Sequence, residues 1–449
     1  MKRRRTLLVT ALVGLPLVAS AQFFNNFTDL SGDVLETPAG RALLQVYGAL
    51  NSGYLNEVEE TALLEGAIGG MLESLKDPYT SYVDPIQAEQ EVENRSGSFE
   101  GIGAVLQARN QTDGTLVEVI NVYRGSPAEQ AGVKVGDIFV EVDGKNVRDA
   151  TTGEIVTLVR GPAGSEVRLG MRRPGEPKPV RLTVKRGSIA IIDVESTVLP
   201  QNVGYVSISS FANERVFDQL DAALVSLREQ GVGALVLDLR NNGGGLLDQG
   251  IRVADEFLSE GDIVFQRARG VTQRLAEADP ASFDLPMVVL VNRNSASASE
   301  IVAGALQDNG RATVVGEETF GKGVGQSVIS LPNGGQLIYL SFEWLTPNRT
   351  SINEKGITPD VVVDDTLVPE VLTLEGQGAQ PGQKIEILVN GKKLGNAQID
   401  ADGNFTFFQP FDLPEDSAVQ GEAIVNLESD PALQAALDAV LEVSAQAQQ

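Results

Sequence analysis

Residues 287–300 read MVVLVNRNSASASE, and their order decides the fold. The run 287–291 is apolar throughout and reads as a strand buried on both faces. Asn294-Ser295-Ala296-Ser297-Ala298-Ser299-Glu300 then leaves that strand and opens a helical stretch, 296–307. A serine at this point sits where the chain exits a sheet, beside the free backbone N–H groups of a helix N-terminus. Such donors can stabilise a developing oxyanion. Serines are also common helix caps, and taken alone the segment fits ordinary capping better.

Outward from this segment the same alternation recurs. Apolar runs at 203–208, 234–239 and 313–315 alternate with helical stretches at 214–229 and 250–258. That pattern predicts an α/β layer with a largely parallel sheet over 187–365. Residues 98–186 differ: short alternating runs at 115–119, 138–142, 167–171 and 180–184 are separated by Gly, Pro and Asp143-Gly144, which predicts a β-rich domain. Residues 37–97 form an N-terminal helical region, with Leu43, Leu44, Val46, Tyr47 and Leu50, then Leu63, Leu64, Ile68, Met71 and Leu75, at helical spacing. Asp77-Pro78 ends the second helix. The region reads as a packing arm without chemistry. Residues 366–428 read as a small all-β insert, with strands at 384–388, 397–399 and 405–408 and turns at Asn390-Gly391 and Asp402-Gly403. A C-terminal helix and a frayed tail occupy 429–449.

The N-terminus predicts export. Lys2, Arg3, Arg4 and Arg5 precede an apolar stretch, and Ala19-Ser20-Ala21 gives a cleavage pattern, so 1–21 reads as a signal peptide and 22–36 as a linker. Export places the protein in the periplasm or cell envelope, or outside the cell.

Composition removes several chemistries. The 449 residues carry a net charge of −26, which disfavours nucleic-acid binding. There is no Cys, hence no thiol nucleophile, disulfide or Cys-ligated zinc. There is no His, which excludes Ser-His-Asp triads and HExxH sites. Proton transfer falls to Lys, Asp, Glu or Tyr. The sequence implies no cofactor and no metal site.

Two glycine-rich segments bear on what remains. Lys322 stands in Phe320-Gly321-Lys322-Gly323-Val324-Gly325-Gln326; buried beside a serine, it loses charge by desolvation and can serve as a general base. Exposed, it is a solvated charge. Asp238-Leu239-Arg240-Asn241-Asn242-Gly243-Gly244-Gly245 runs from a strand into a triple glycine whose N–H groups can form an anion nest or a plain tight turn. Gly316 to Lys322 fits G-x-x-x-x-G-K, but Gly323 stands where a P-loop has Ser or Thr, and a strand follows instead of a helix. Asp400, Asp402 and Asn404 hint at a calcium loop, but Phe411 occupies the position of its bidentate Glu.

In their order, these segments resemble the carboxyl-terminal processing peptidases, or tail-specific proteases. The resemblance covers about 40–365 and the last helix. It rests on 62–82, Gly101-Ile102-Gly103, Gly125-Ser126-Pro127-Ala128, 238–245, 295–300, Gly321-Lys322-Gly323 and Gly356-Ile357-Thr358-Pro359-Asp360. It implies a crotonase/ClpP-like α/β protease core with a PDZ domain at 98–186. It implies Ser297 as nucleophile, Lys322 as base, Gln326 as the residue orienting the lysine, and N–H groups of Gly243 and Ala298 as the oxyanion hole. Ser295 and Ser299 have no catalytic part in it. It implies that Gly101, Ile102 and Gly103 receive a substrate's terminal carboxylate, and that Arg160 couples the PDZ domain to the active site. The expected partners are unfolded or tailed envelope proteins as substrates, with an adaptor or activating protein; the oligomeric state is open. The alternative is a catalytically inactive PDZ scaffold. The insert at 366–428 departs from the family pattern, and its hairpins faintly resemble immunoglobulin-like modules.

Overall fold

Thr37 caps the first helix, α1 (Pro38–Gly53): its Oγ1 accepts from the Gly40 N–H at 3.0 Å, and Pro38 stands just inside the helix. The structure is a computed structural model. It describes residues 34–109, 116–123, 125–173, 176–280, 283–365, 374–377, 384–389, 392–398, 404–407, 425–427 and 430–447. The expected signal peptide and most of the expected linker lie outside the described residues, as do both hairpin turns expected in the insert. The chain divides into two units, one up to Tyr82 and one from Val83 onward. In the first, α2 (Glu60–Glu73) follows α1 and stops before Asp77. Its apolar residues were expected to pack. Tyr47, Leu50, Leu63, Ile68 and Leu72 are half-buried, and Leu43, Leu44, Val46, Leu64 and Met71 are exposed.

The second unit opens with α3 (Pro85–Arg95), β1 (Ser98–Gly101), β2 (Ala104–Ala108) and β3 (Val117–Val122). There follow α4 (Pro127–Gln130), β4 (Ile138–Val142), α5 (Thr152–Val159), β5 (Glu166–Arg172), β6 (Val180–Lys185) and β7 (Gly187–Ala190). The strands β2-β3-β4-β5-β6 are ordered in one sheet, and β2 lies at its edge. Alternation along the strands sends Val117, Val119, Phe139, Val167 and Met171 into a core shared with Ile155 of α5. A capping box between Thr151 and Glu154 starts α5. β1 pairs antiparallel with β7 where the chain enters and leaves this β-rich part.

From β8 (Val194–Leu199) the α/β core begins. It contains β9 (Val203–Ile208), α6 (Val216–Glu229), β10 (Ala234–Asp238), α7 (Leu247–Phe257), β11 (Asp262–Ala268), β12 (Val271–Glu277), β13 (Met287–Val291), α8 (Ala298–Asp308), β14 (Thr313–Gly316), β15 (Val324–Ser330), β16 (Gln336–Leu345) and β17 (Val361–Val362). The main sheet has the order β8-β9-β10-β13-β14-β17, parallel from β9 onward. Both faces are covered, which is why β10 and β13 are buried along their whole length and almost entirely apolar. Leu235, Leu237, Val289 and Val291 meet α6, α7 and α8 on one face. Val236, Val288, Leu290 and Val315 meet Leu433, Ala436, Leu437 and Val440 of the C-terminal helix on the other. β15, β16, β11 and β12 run antiparallel in a second sheet; Ile263, Val264 and Phe265 of β11 are buried, a short apolar run that was not assigned from sequence, while β12 is largely exposed.

In the insert, β18 (Leu374–Gln377) pairs with β21 (Asn404–Phe407), and β19 (Lys384–Val389) with β20 (Lys392–Gln398). Antiparallel pairing throughout matches the all-β reading. The last helix, α9 (Pro431–Ala447), runs through Ala445, where a frayed tail was expected. No helix among the described residues is long and apolar enough to cross a membrane.

Because α9 supplies one whole face of the sheet, Leu437→Ala, at a side chain 3% exposed, should cost about 3 kcal/mol. Urea unfolding checks this; an unchanged midpoint would contradict the packing.

Candidate active site

Three adjacent parallel strands end side by side. β10 stops at Asp238, β13 at Val291 and β14 at Gly316. Each releases one of the segments singled out in the sequence: 239–245, 292–297 and 317–323. Convergence at the carboxyl ends of parallel strands is the usual place for a site in such a sheet. It also explains how residues far apart in the chain become neighbours.

The three serines separate cleanly by environment. Ser295 is fully buried; its Oγ donates to the Leu239 carbonyl at 2.8 Å and accepts from the Asn292 N–H at 3.0 Å. Ser299 is also fully buried and donates to the Asn242 carbonyl at 2.9 Å. Both hydroxyls are committed to structure. Ser297 is partly exposed and holds φ 55° and ψ −114° at the N-cap of α8. A non-glycine residue in that region stores roughly 1–3 kcal/mol of strain, so its surroundings must impose it.

Those surroundings include the glycine turn. The Asn242 carbonyl accepts from the Ala296 N–H at 3.0 Å as well as from Ser299. Gly244 has φ 94°, and a Cβ there would lie 2.7 Å from the Ser297 Cβ. Only glycine permits that stacking. The N–H groups of Gly243 and Ala298 have no acceptor among the described residues. Ala298 stands at the first helical position, where no intrahelical partner exists.

Glu300 ties the serine to the lysine. It is fully buried and accepts four hydrogen bonds. Oε2 takes the N–H groups of Ser297 at 2.8 Å and Lys322 at 2.9 Å. Oε1 takes the Thr319 hydroxyl at 2.6 Å and the Gly321 N–H at 2.7 Å. Burial raises the Glu300 pKa, and these four donors pull it back toward the charged form. One carboxylate oxygen therefore bridges the backbones of residues 297 and 322. This role was not assigned from sequence, although Ser297-x-x-Glu300 has the spacing of a capping box.

Lys322 is half-buried, and burial lowers its pKa from the ordinary 10.5. Its Nζ donates to Gln326 Oε1 at 3.0 Å. Its carbonyl accepts from the Trp344 indole N–H at 2.9 Å. Gly323 lets the loop close on the next segment, since a Cβ there would lie 2.6 Å from the Asn353 nitrogen. The strand β15 follows the lysine, so the P-loop match lacks its helix.

The residues expected to hold a substrate tail form a second cluster. Gly101 ends β1, and the Ile102 side chain is buried in the β-rich core. The Ile102 carbonyl accepts from Ala128 at 2.8 Å and that of Gly103 from Tyr123 at 3.0 Å. Together they lead into the edge strand β2. Arg160 caps α5, and its guanidinium lies 5.9 Å from the Phe99 ring centroid, in β1. Thus Ser297, Lys322, Gln326, Gly243 and Ala298 belong to one cluster, while Arg160 is placed with the strand that leads to Gly101.

Comparison with known proteins agrees with this architecture. Residues 202–363 match peptidase family S41, 118–173 a PDZ domain, and 35–86 the N-terminal domain of the activating protease CtpB. A carboxy-terminal-processing protease of Bartonella bacilliformis is 37% identical over 385 residues, which are 84% of this chain and 86% of that protein. A probable CtpA-like serine protease of Staphylococcus aureus strain COL is 38% identical over 323 residues, which are 71% of this chain and 64% of the relative's length. Among solved structures, a photosystem II D1 C-terminal processing protease is 32% identical, with 75% of this chain and 95% of that one covered and a TM-score of 0.43. The class is a PDZ-bearing serine peptidase fold. The chain belongs to peptidase family S41, alongside the carboxy-terminal-processing proteases.

Glu300→Gln keeps the shape but sets an amide donor against two of the four donors. Steady-state kinetics on the variant should show kcat reduced by about a hundredfold, from the lost alignment of residues 297 and 322. A kcat within about twofold of wild type would show that the bridge does not govern the site.

Proposed function

We propose that this protein is an exported serine endopeptidase that captures unstructured protein C-termini and cleaves peptide bonds through a Ser297–Lys322 dyad. The observation that carries the reading is the shared Glu300 oxygen, which holds the backbones of Ser297 and Lys322 together, beside a lysine whose pKa burial lowers.

Neutral Lys322 removes the Ser297 proton as the hydroxyl oxygen attacks the scissile carbonyl. Gln326 holds the amine in place through its Oε1. The oxyanion is received by the N–H groups of Gly243 and Ala298, each donor worth about 3 kcal/mol in such sites. Lysinium then protonates the leaving amine and the acyl-enzyme forms. Lys322 next deprotonates water, which attacks the ester; the tetrahedral adduct collapses, the acid leaves and Ser297 regains its proton. No metal or cofactor enters these steps.

The tail binds as an added strand on the open edge of β2, with its carboxylate on the N–H groups at Gly101, Ile102 and Gly103. Arg160, resting on Phe99 beside that strand, couples occupancy of the groove to the peptidase core. An adaptor or activating protein regulates the enzyme, and a cleaved signal peptide places it in the periplasm or cell envelope. The 366–428 segment acts as a β-rich accessory module.

Ser297→Ala and Lys322→Ala should each abolish cleavage of an unstructured, apolar-tailed substrate, and labelling by a fluorophosphonate, without loss of tail binding. If wild type binds the tail but neither cleaves nor labels, the chain is a PDZ scaffold.

A further inference from the structure

One guanidinium lies at the root of the insert. Arg240 is 9% exposed and bonds three carboxylates, themselves nearly buried. Nε and Nη2 reach Asp238 at 3.0 and 2.7 Å, and Nη1 and Nη2 reach Asp430 at 3.0 and 2.8 Å. Nη1 also reaches Asp365 at 3.3 Å. Asp365 and Asp430 stand immediately before and after residues 366–429. The two residues that flank this stretch therefore meet on one side chain.

That side chain belongs to the turn carrying Gly243. After Arg240 comes Asn241, at φ 58°, whose N–H donates to Asn292 Oδ1 at 3.0 Å. Asn292 Nδ2 returns a bond to Asn241 Oδ1 at 3.0 Å and donates to Asp365 Oδ2 at 2.9 Å. Asp365 thus reaches the turn twice: through Arg240 and through Asn292. Asp430 also accepts from the Leu433 N–H at 2.9 Å, which fixes the start of α9. Three buried carboxylates on one guanidinium cost desolvation free energy, and apolar packing of the same volume is commonly as stable or more so. What the cluster supplies is position: it clamps three chain segments to a turn held in a left-handed conformation.

We infer that Arg240 is a positioning residue for the oxyanion turn, and that Asp365 and Asp430, which flank the insert, set where that turn stands. The inference rests on the assignment of Gly243 as an oxyanion donor. It makes the insert a pluggable module: what matters for catalysis is that the two aspartates flanking it stay on Arg240, and anything that pulls them apart lowers turnover.

Asp365→Asn tests this with almost no change of shape. An amide at 365 turns a donor toward either Arg240 or Asn292, both donors themselves. With a fluorogenic unstructured peptide, kcat per titrated active site should fall about tenfold or more and KM stay within about twofold, because the loss is confined to the transition state. A merely structural role would lower the fraction of titratable sites and the melting temperature, leaving kcat per site unchanged. Asp430→Asn, which keeps the cap on Leu433, should behave alike. Replacing 370–424 by about eight Gly and Ser residues, with both aspartates kept, should leave kcat within about twofold. Wild-type kcat per site in both Asn variants, or loss of kcat on excision, overturns the inference. A wild-type chain inert to peptide and to fluorophosphonate overturns the peptidase reading itself, and the inference with it.

Discussion

A single buried carboxylate, Glu300, organises the site. Its two oxygens collect backbone and side-chain donors from the start of α8 and from the loop after β14. Without it, those segments have no common acceptor, and a strained Ser297 has less to hold it in place. Isolating a carboxylate from water is costly, and four donors are what make it tolerable here. The sheet then supplies what the carboxylate cannot: β10, β13 and β14 deliver the glycine turn, the serine and the lysine to one edge in adjacent register.

Much of this was legible in the sequence because it rested on short-range patterns. Predominantly apolar runs marked β9, β10 and β13 within a residue of their limits, since strands buried on both faces are mostly apolar. The serine segment at 295–300 was recognisable, but the choice of Ser297 came from family resemblance. Ser295 and Ser299 are buried and bonded to backbone carbonyls, while Ser297 is partly exposed. Helical spacing of apolar residues marked α2 correctly, with Leu63, Ile68 and Leu72 half-buried and Leu64 and Met71 exposed.

What stayed hidden depended on long-range pairing. β12 is largely exposed and mixed in composition, so alternation is blurred, and in β11 the buried run is only Ile263, Val264 and Phe265, flanked by polar residues. Arg240 read as part of a strand-to-glycine motif; that it meets residues 125 and 190 positions away could not be read from spacing. Glu300 had the right spacing for a cap, yet its bonds to 319, 321 and 322 arise only when two strand ends are placed side by side. Polar networks of this kind carry little one-dimensional signal, because each member is an ordinary surface residue type.

The account depends on an uncharged amine beside Ser297, and the protonation state of Lys322 can be read directly. With lysines labelled with nitrogen-15 and Lys322 assigned by difference from Lys322→Arg, NMR titration of Nζ follows its ionisation. Burial predicts a midpoint below the ordinary 10.5, with the rate of serine acylation rising over the same pH range as the amine loses its proton. A midpoint at or above 10.5, or acylation that does not follow it, would contradict the account.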